Sequence, residues 1–223
     1  MIRLCDVLFS IIFIVILSPL FFVVIIILSV TGERKIFFTQ TRMGKDMKTF
    51  SLLKFVTMLQ NSPHIGTGNI TIENDPRVLP LGKFLRASKI NELPQLCNIL
   101  IGDMSFIGPR PLTPDRFEIY NVNQQEIISK LKPGLSGIGS IIFRDEEKIL
   151  NNELNANEVY DNIIAPYKGE LEIWYAKKNS LLYYFILIFL TVIVVLKIPL
   201  SKRINNFLDL PKKPSELNNL MER

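Results

Sequence analysis

The residues in this chain best equipped for chemistry are carboxyl, guanidinium and ammonium groups placed beside turn motifs. Glu92 follows Asn91 and precedes Leu93-Pro94, Arg110 stands within Gly108-Pro109-Arg110-Pro111, and Lys54 ends the run Leu52-Leu53-Lys54. Phosphoryl transfer uses such parts: a placed acid, a metal and cations over the phosphate oxygens. A helix starting near Pro94 would point free N–H groups at an anion, and Arg110 after Gly108 is a natural phosphate fork. Other chemistries lack their parts. His64 is the only histidine, so a Ser-His-Asp triad would have to be built around it, and no Gly-x-Ser-x-Gly elbow accompanies it. Histidine-rich zinc sites are excluded. Cys5 and Cys97 lie far apart, without thiolate-site spacing, which fits a reducing, cytosol-facing domain. Neither Gly-x-Gly-x-x-Gly nor a Walker-type Gly-x-x-x-x-Gly-Lys occurs, and Gly66-Thr67-Gly68 means no more than a turn.

Each of these residues also has a plainer role. Glu92 alone is a first-turn helix charge, worth up to about 1 kcal/mol. Lys54 alone is a solvated cation, and Asp103 caps a turn before Met104 or joins a site. Arg42, Arg77 and Arg86 serve as lipid headgroup anchors as well as they serve as substrate contacts.

The elements that must position these groups are short. Asp75-Pro76, Gly108-Pro109-Arg110-Pro111 and Lys132-Pro133-Gly134 punctuate residues 36–178. Phe84–Ser88 and Leu93–Ile101 read as helices, the second with Pro94 in its first turn and Asn91 as N-cap. Leu135–Phe143 reads as a strand, and Glu153–Trp174 as a helix interrupted near Pro166.

Around this region the chain is apolar: 48% of its 223 residues are hydrophobic, and its net charge is +5. That length suffices for one domain with its own core, and the basic excess with apolar ends favours lipid over nucleic acid. Val7–Val30 carries no charge and as a helix would reach roughly 36 Å, enough to cross a bilayer core. Pro19, after Ser18, crowds the Val15 carbonyl at its midpoint and predicts a kink. Each arm of about 12 residues is too short to span alone, so the segment is either a kinked span or a re-entrant hairpin. Asn179–Leu196 is a second uncharged run, flanked by lysines on both sides, that crosses or lies shallowly. The tail, with Lys202, Arg203, Lys212 and Lys213, reads as solvated or headgroup-contacting.

Several stretches in order resemble the bacterial sugar transferases, the monotopic polyprenyl-phosphate phosphoglycosyl transferases. They are Phe38-Thr39-Gln40-Thr41-Arg42-Met43-Gly44, Lys54-Phe55-Val56-Thr57-Met58, Asp75-Pro76-Arg77 and Gly82-Lys83-Phe84-Leu85-Arg86. Asn91-Glu92-Leu93-Pro94-Gln95-Leu96, Gly102-Asp103-Met104-Ser105, Gly108-Pro109-Arg110-Pro111-Leu112 and Lys132-Pro133-Gly134-Leu135-Ser136-Gly137 follow. The resemblance implies an α/β, mostly helical fold: a small cytoplasmic catalytic domain with an N-terminal re-entrant membrane helix and amphipathic interfacial helices. Residues 1–35 would be the re-entrant helix, broken at Ser18-Pro19, 36–178 the catalytic domain, and 179–223 an apolar membrane-associated segment with a basic tail. It implies a Mg²⁺-dependent reaction at the inner membrane, transferring a phospho-sugar from a UDP-sugar to polyprenyl (undecaprenyl) phosphate. A carboxylate attacks the β-phosphorus, UMP leaves, and the lipid phosphate takes the phospho-sugar, starting surface glycan assembly. The catalytic pair falls on Asn91 and Glu92, with Glu92 the metal ligand, and Lys54, Arg86, Arg110 and Arg144 face substrate.

Three departures stand out. Asn91 occupies the position of the nucleophilic Asp, and an amide cannot form an acyl phosphate. Val56 replaces a usual Arg, and Glu172 stands where Asp is more typical. Turnover would then use Glu92 or direct attack by the lipid phosphate; the alternative is a catalytically silent relative serving as a lipid- or partner-binding scaffold. No basic recognition helix supports nucleic-acid binding. The sugar and the oligomeric state, a homo-oligomer included, stay open.

Overall fold

The computed structural model describes residues 1–62, 75–151, 156–198 and 207–221. His64, Gly66-Thr67-Gly68, Lys202 and Arg203 lie outside these residues. Helix α1 (Ile2–Val30) leads into an antiparallel hairpin of β1 (Phe37–Met43) and β2 (Thr49–Phe55), in which Phe38 faces Lys54 and Met43 faces Thr49. Asp46 and Met47 take left-handed backbone angles in the connecting turn. Helices α2 (Pro80–Ala87) and α3 (Gln95–Ile101) flank a 3₁₀ turn, Ile90–Glu92. Strand β3 (Ser105–Ile107) pairs in parallel with β4 (Gly134–Ser136), with α4 (Pro114–Phe117) and α5 (Val122–Ser129) between them. Then come α6 (Ile138–Ile142), α7 (Glu146–Asn151), α8 (Ala156–Val159), α9 (Ala165–Lys178), α10 (Leu181–Val195) and α11 (Ser215–Met221). Among the described residues the chain is mostly helical with two small sheets, in line with the expected α/β, mostly helical fold.

Three local expectations are corrected. Asn91 caps no helix: it lies in the 3₁₀ turn, and α3 begins after Pro94 without a side-chain cap. Leu135–Phe143 is not one strand. Pairing stops at Ser136, and Ile138 and Ile141, one turn apart, enter the core from α6; a short apolar run does not declare its period. The break near Pro166 is a π-helical turn, Tyr160–Ile164, and Pro166 itself opens α9, where its missing N–H is harmless.

Helix α1 is continuous through Ser18-Pro19 instead of dividing there. Ser18 Oγ donates to the Val15 carbonyl at 2.8 Å, the acceptor that Pro19 leaves without an N–H. At 29 residues the helix measures about 44 Å and is long and apolar enough to cross a membrane. One stripe of it, however, packs on the domain over its whole length. Phe9 meets Phe106, and Ile14 and Leu17 pack against Leu52, Leu96, Ile99 and Met104. Val24 and Leu28 are buried with Phe55 and Leu85. The opposite face exposes Leu8, Ile12, Val15, Ile16, Phe22, Val23 and Ile26.

Polar contacts lock the first two turns of α1. The Arg3 guanidinium donates to the carbonyls of Ile99 and Leu100 at 2.5 and 2.7 Å, capping the C-terminal end of α3. Asp6 is 1% exposed, and its Oδ1 accepts from Ser105 Oγ, the Phe106 N–H and Tyr184 Oη at 3.0, 3.1 and 2.8 Å. Removing this carboxylate would orphan three donors at about 1–3 kcal/mol each. The node joins α1 and α10 to β3. Helix α10 buries Tyr184, Leu187, Leu190 and Val194 and leaves Leu182, Phe185, Phe189, Val192 and Val195 exposed. Its 15 residues reach about 22 Å, short of the roughly 30 Å bilayer core.

Candidate active site

The central turn is built by backbone geometry. Lys89 ends α2 in the left-handed region at φ 60°, reversing the chain into Ile90–Glu92, and Pro94 starts the next helix. Helix α2 can sit this close to β2 only because residue 82 is glycine: a Cβ there would lie 2.1 Å from the Thr57 carbonyl oxygen. The turn is thereby pressed against the end of β2, where Lys54 Nζ meets Glu92 Oε1 at 3.2 Å. Both side chains are about a fifth exposed, 20% and 18%, so the pair lies at a rim open to a ligand.

Arg110 is carried by a loop fastened at every side. Gly108 N–H donates to Ser136 O at 2.9 Å and Gly134 N–H to Pro109 O at 2.8 Å. Gly108 and Gly134 pack backbone to backbone, a Cβ on Gly134 coming within 2.1 Å of Gly108 N. The sequence motifs Gly-Pro-Arg-Pro and Lys-Pro-Gly-Leu-Ser-Gly are thus two sides of one contact. Arg42 supports the loop from β1, its Nη1 donating to Pro111 O at 3.1 Å while its Nε is buried without a partner.

These groups share one electrostatic field. For Glu92, burial acts to raise the carboxyl, but Lys54, Arg110 and Lys89 outweigh it and hold it near 2, so it is ionised. Burial pulls Lys54 down to about 8 against the attraction of Glu92, with Arg110 and Arg42 adding to the fall; the ammonium stays mostly charged at neutral pH. Burial and the Arg110 charge lower Arg42 to about 10. The guanidinium of Arg110 is exposed beside this cluster. Asn91 is 6% exposed, and its Oδ1 is buried without a partner.

The structure therefore brings Asn91, Glu92, Lys54 and Arg110 into one neighbourhood. Arg86 stands in the last turn of α2 with Nη1 3.7 Å from Met58 Sδ, and Arg144 is half-buried in the turn after α6. Neither is among the charges acting most strongly on Glu92. Arg77 is no surface anchor, being 3% exposed and bonded through Nε to both oxygens of Asp75. Asp103 lies in the turn after α3, with Asn98 Nδ2 3.4 Å from its Oδ2. Sequence reasoning missed Asn98, whose amide accepts from Leu53 N–H and donates to Ser51 O, tying α3 to the strand that carries Lys54. Its only signal was a polar residue amid Leu96, Ile99 and Leu100.

The sequence pattern of bacterial sugar transferases matches residues 1–198. The chain belongs to the bacterial sugar transferase family. Among curated relatives, this sugar transferase is 34% identical over 155 residues to the exopolysaccharide production protein ExoY of Sinorhizobium fredii, covering 63% of this chain and 68% of that one. It is 34% identical over 143 residues to the UDP-glucose:undecaprenyl-phosphate glucose-1-phosphate transferase of Klebsiella pneumoniae, covering 62% and 30%. To the UDP-N-acetylgalactosamine-undecaprenyl-phosphate N-acetylgalactosaminephosphotransferase of Aeromonas hydrophila it is 36% identical over 142 residues, covering 61% and 33%. The matched part is thus about a third of these last two relatives' length. The resemblance read from the motifs is borne out by the family match.

Proposed function

We propose that this sugar transferase moves a phospho-sugar from a UDP-sugar to undecaprenyl phosphate at the cytoplasmic face of the inner membrane, releasing UMP and starting surface glycan assembly. The observation that carries this reading is the Lys54–Glu92 pair on the turn that holds Asn91, within the field of Arg110. A diphosphate brings several negative oxygens, and the site offers an exposed guanidinium and a charged ammonium to receive them. The ionised Glu92 and the unpartnered Asn91 Oδ1 are hard oxygen donors on one turn. They fit Mg²⁺, which takes one or two protein oxygens beside substrate phosphates and, when bound, neutralises diphosphate charge.

With an amide at position 91, the route left is direct. An undecaprenyl phosphate oxygen forms a bond to the β-phosphorus while the bond to the bridging oxygen breaks, and UMP leaves with that oxygen. Lys54 and Arg110 hold the phosphates in line and meet the charge on the departing UMP. The relatives from Klebsiella pneumoniae and Aeromonas hydrophila carry undecaprenyl phosphate in their names and differ in sugar, so the donor sugar is left to assay. A panel of UDP-sugars with the purified chain should yield UMP from at least one donor, and only when undecaprenyl phosphate is present. Silence across the panel would favour the scaffold reading instead. Arg110→Ala should raise the donor KM by about 10- to 100-fold, the loss of one or two charge-assisted hydrogen bonds.

The apolar surfaces support a one-sided seat in the membrane. Both ends of α1 rest on the domain: Arg3 and Asp6 at the start, and at the far end Glu33, whose Oε2 accepts from Gln60 N–H at 2.9 Å. A helix held this way has both ends on one side of the membrane, the topology of a re-entrant segment, although it is not divided at Ser18-Pro19. Phe9 and Phe185 touch, their centroids 6.3 Å apart, so α1 and α10 share one exposed apolar face, and α10 lies in the interface. Single cysteines at Ile2 and Glu33, with Cys5 and Cys97 replaced, should both react only after the cytoplasmic side is opened to reagent. A periplasmic label at Ile2 sinks the re-entrant arrangement.

A further inference from the structure

Behind the Arg110 loop lies a second polar cluster that the reaction above does not use. Glu172, on α9, is 2% exposed. Its carboxyl accepts the backbone N–H of Arg110, and its Oε1 rests so close to Gly139 that a Cβ there would stand 2.8 Å away. Its Oε2 is buried without a partner. One turn earlier on the same helix, Lys168 Nζ is 2.5 Å from Glu146 Oε2 and 5.1 Å from the ring centroids of both Phe143 and Tyr160. The titratable and charged groups facing Glu172 are Lys168 and Tyr175 from α9, Arg110 from its loop, and Tyr120 from the turn before α5.

One buried and one partly exposed carboxyl here share one ammonium. The Glu146 side chain is 23% exposed and takes the direct bond, so solvent and Lys168 both support its charge. Glu172 has no solvent and no direct bond to Lys168, whose charge reaches it only from a distance, and an ionised carboxylate with one oxygen orphaned in the core is costly. A neutral acid can still accept the Arg110 N–H while leaving no uncompensated charge.

We propose that Glu172 is a positioning residue for Arg110, holding the backbone of the phosphate-binding loop as a neutral carboxylic acid. The proposal rests on the reading of Arg110 as the diphosphate clamp. Burial pushes the Glu172 carboxyl up to about 8, with Lys168 and the Arg110 N–H pulling back less strongly. Below that value the loop is held by an uncharged group. As the pH rises through it, a negative charge forms behind a loop that must bind a polyanion, and it competes for the Arg110 and Lys168 cations.

Two measurements on the full chain in detergent test this: infrared difference spectra of wild type minus Glu172→Gln, and calorimetric binding of UDP, the part common to all donors. At about pH 7 the difference spectrum should show the C=O stretch of a protonated carboxyl, and by about pH 9 it should vanish. Glu172→Gln, a neutral isostere, should bind UDP within about threefold of wild type at neutral pH, and Glu172→Leu about tenfold more weakly. Between the two pH values wild type should lose more affinity than Glu172→Gln does. Absence of the carboxyl band at neutral pH overturns the neutral-acid role, and wild-type UDP affinity in Glu172→Leu overturns the positioning role. Should Glu172→Leu fail to fold, the band and the Gln profile decide alone. Arg110→Ala is read in parallel: unchanged UDP binding there defeats the clamp reading, while the infrared band still reports on Glu172 itself.

Discussion

Asn91→Asp should raise UMP release by about 100-fold or more, because a carboxylate at this position opens a covalent route that an amide cannot enter. The side chain sits on the turn beside Glu92, within the cluster of Lys54 and Arg110, and its Oδ1 is buried with no donor to hold it. A carboxylate there would be close to cations able to keep it ionised, and it could attack the β-phosphorus before the lipid phosphate arrives. Intact mass spectrometry of the variant incubated with donor alone should then show a phospho-sugar adduct, which the present chain should not form. Glu92 is no ready substitute, since adjacent residues on a helical turn point about 100° apart and Lys54 already holds its carboxylate. High turnover with Asn91 in place, unimproved by Asp, would show that position 91 is not where a nucleophile acts in this protein.

Glu92→Gln should lower turnover by about 10²–10³-fold, the scale seen when one preorganised charged or polar group is removed from a reacting centre. The substitution keeps shape and removes the carboxylate bonded to Lys54. The ammonium loses its counter-charge, and the turn loses its ionised oxygen for Mg²⁺. Chelation with EDTA should abolish activity in the wild-type chain. The single tryptophan, Trp174, is 7% exposed, so its fluorescence on heating reports whether the variant has kept its core. A folded Glu92→Gln enzyme with full turnover would remove this residue from the mechanism.

The grouping of Lys54, Asn91, Glu92 and Arg110 was legible because each stands in a motif whose turn residues do mechanical work. Gly82 permits the approach of α2, Pro94 starts α3, and Gly108 and Gly134 allow two backbones to touch. Contacts made across long sequence separations were not legible. Arg42 reads as a surface cation until its Nη1 is found on Pro111, and Asp6 reads as a charge before an apolar helix until three distant donors converge on it. The hairpin of β1 and β2 was not legible because neither Phe37–Met43 nor Thr49–Phe55 alternates apolar and polar residues cleanly. The run from Leu135 to Phe143 misled for the opposite reason: β-branched residues suggested a strand, and burial of Ile138 and Ile141 one turn apart made a helix.

The contact between Asp6 and Tyr184 spans 178 residues, which sets an order of events during synthesis. Helix α1 is made before the strands and helices that bury its inner stripe, and Tyr184 follows only after β1 to β4 and α2 to α9. Until then the helix lacks its protein partners, and in the membrane seat proposed above its carboxylate would be tolerated only near the surface. Completion of α10 then closes it on α1, so this contact forms only after residue 184 has been made.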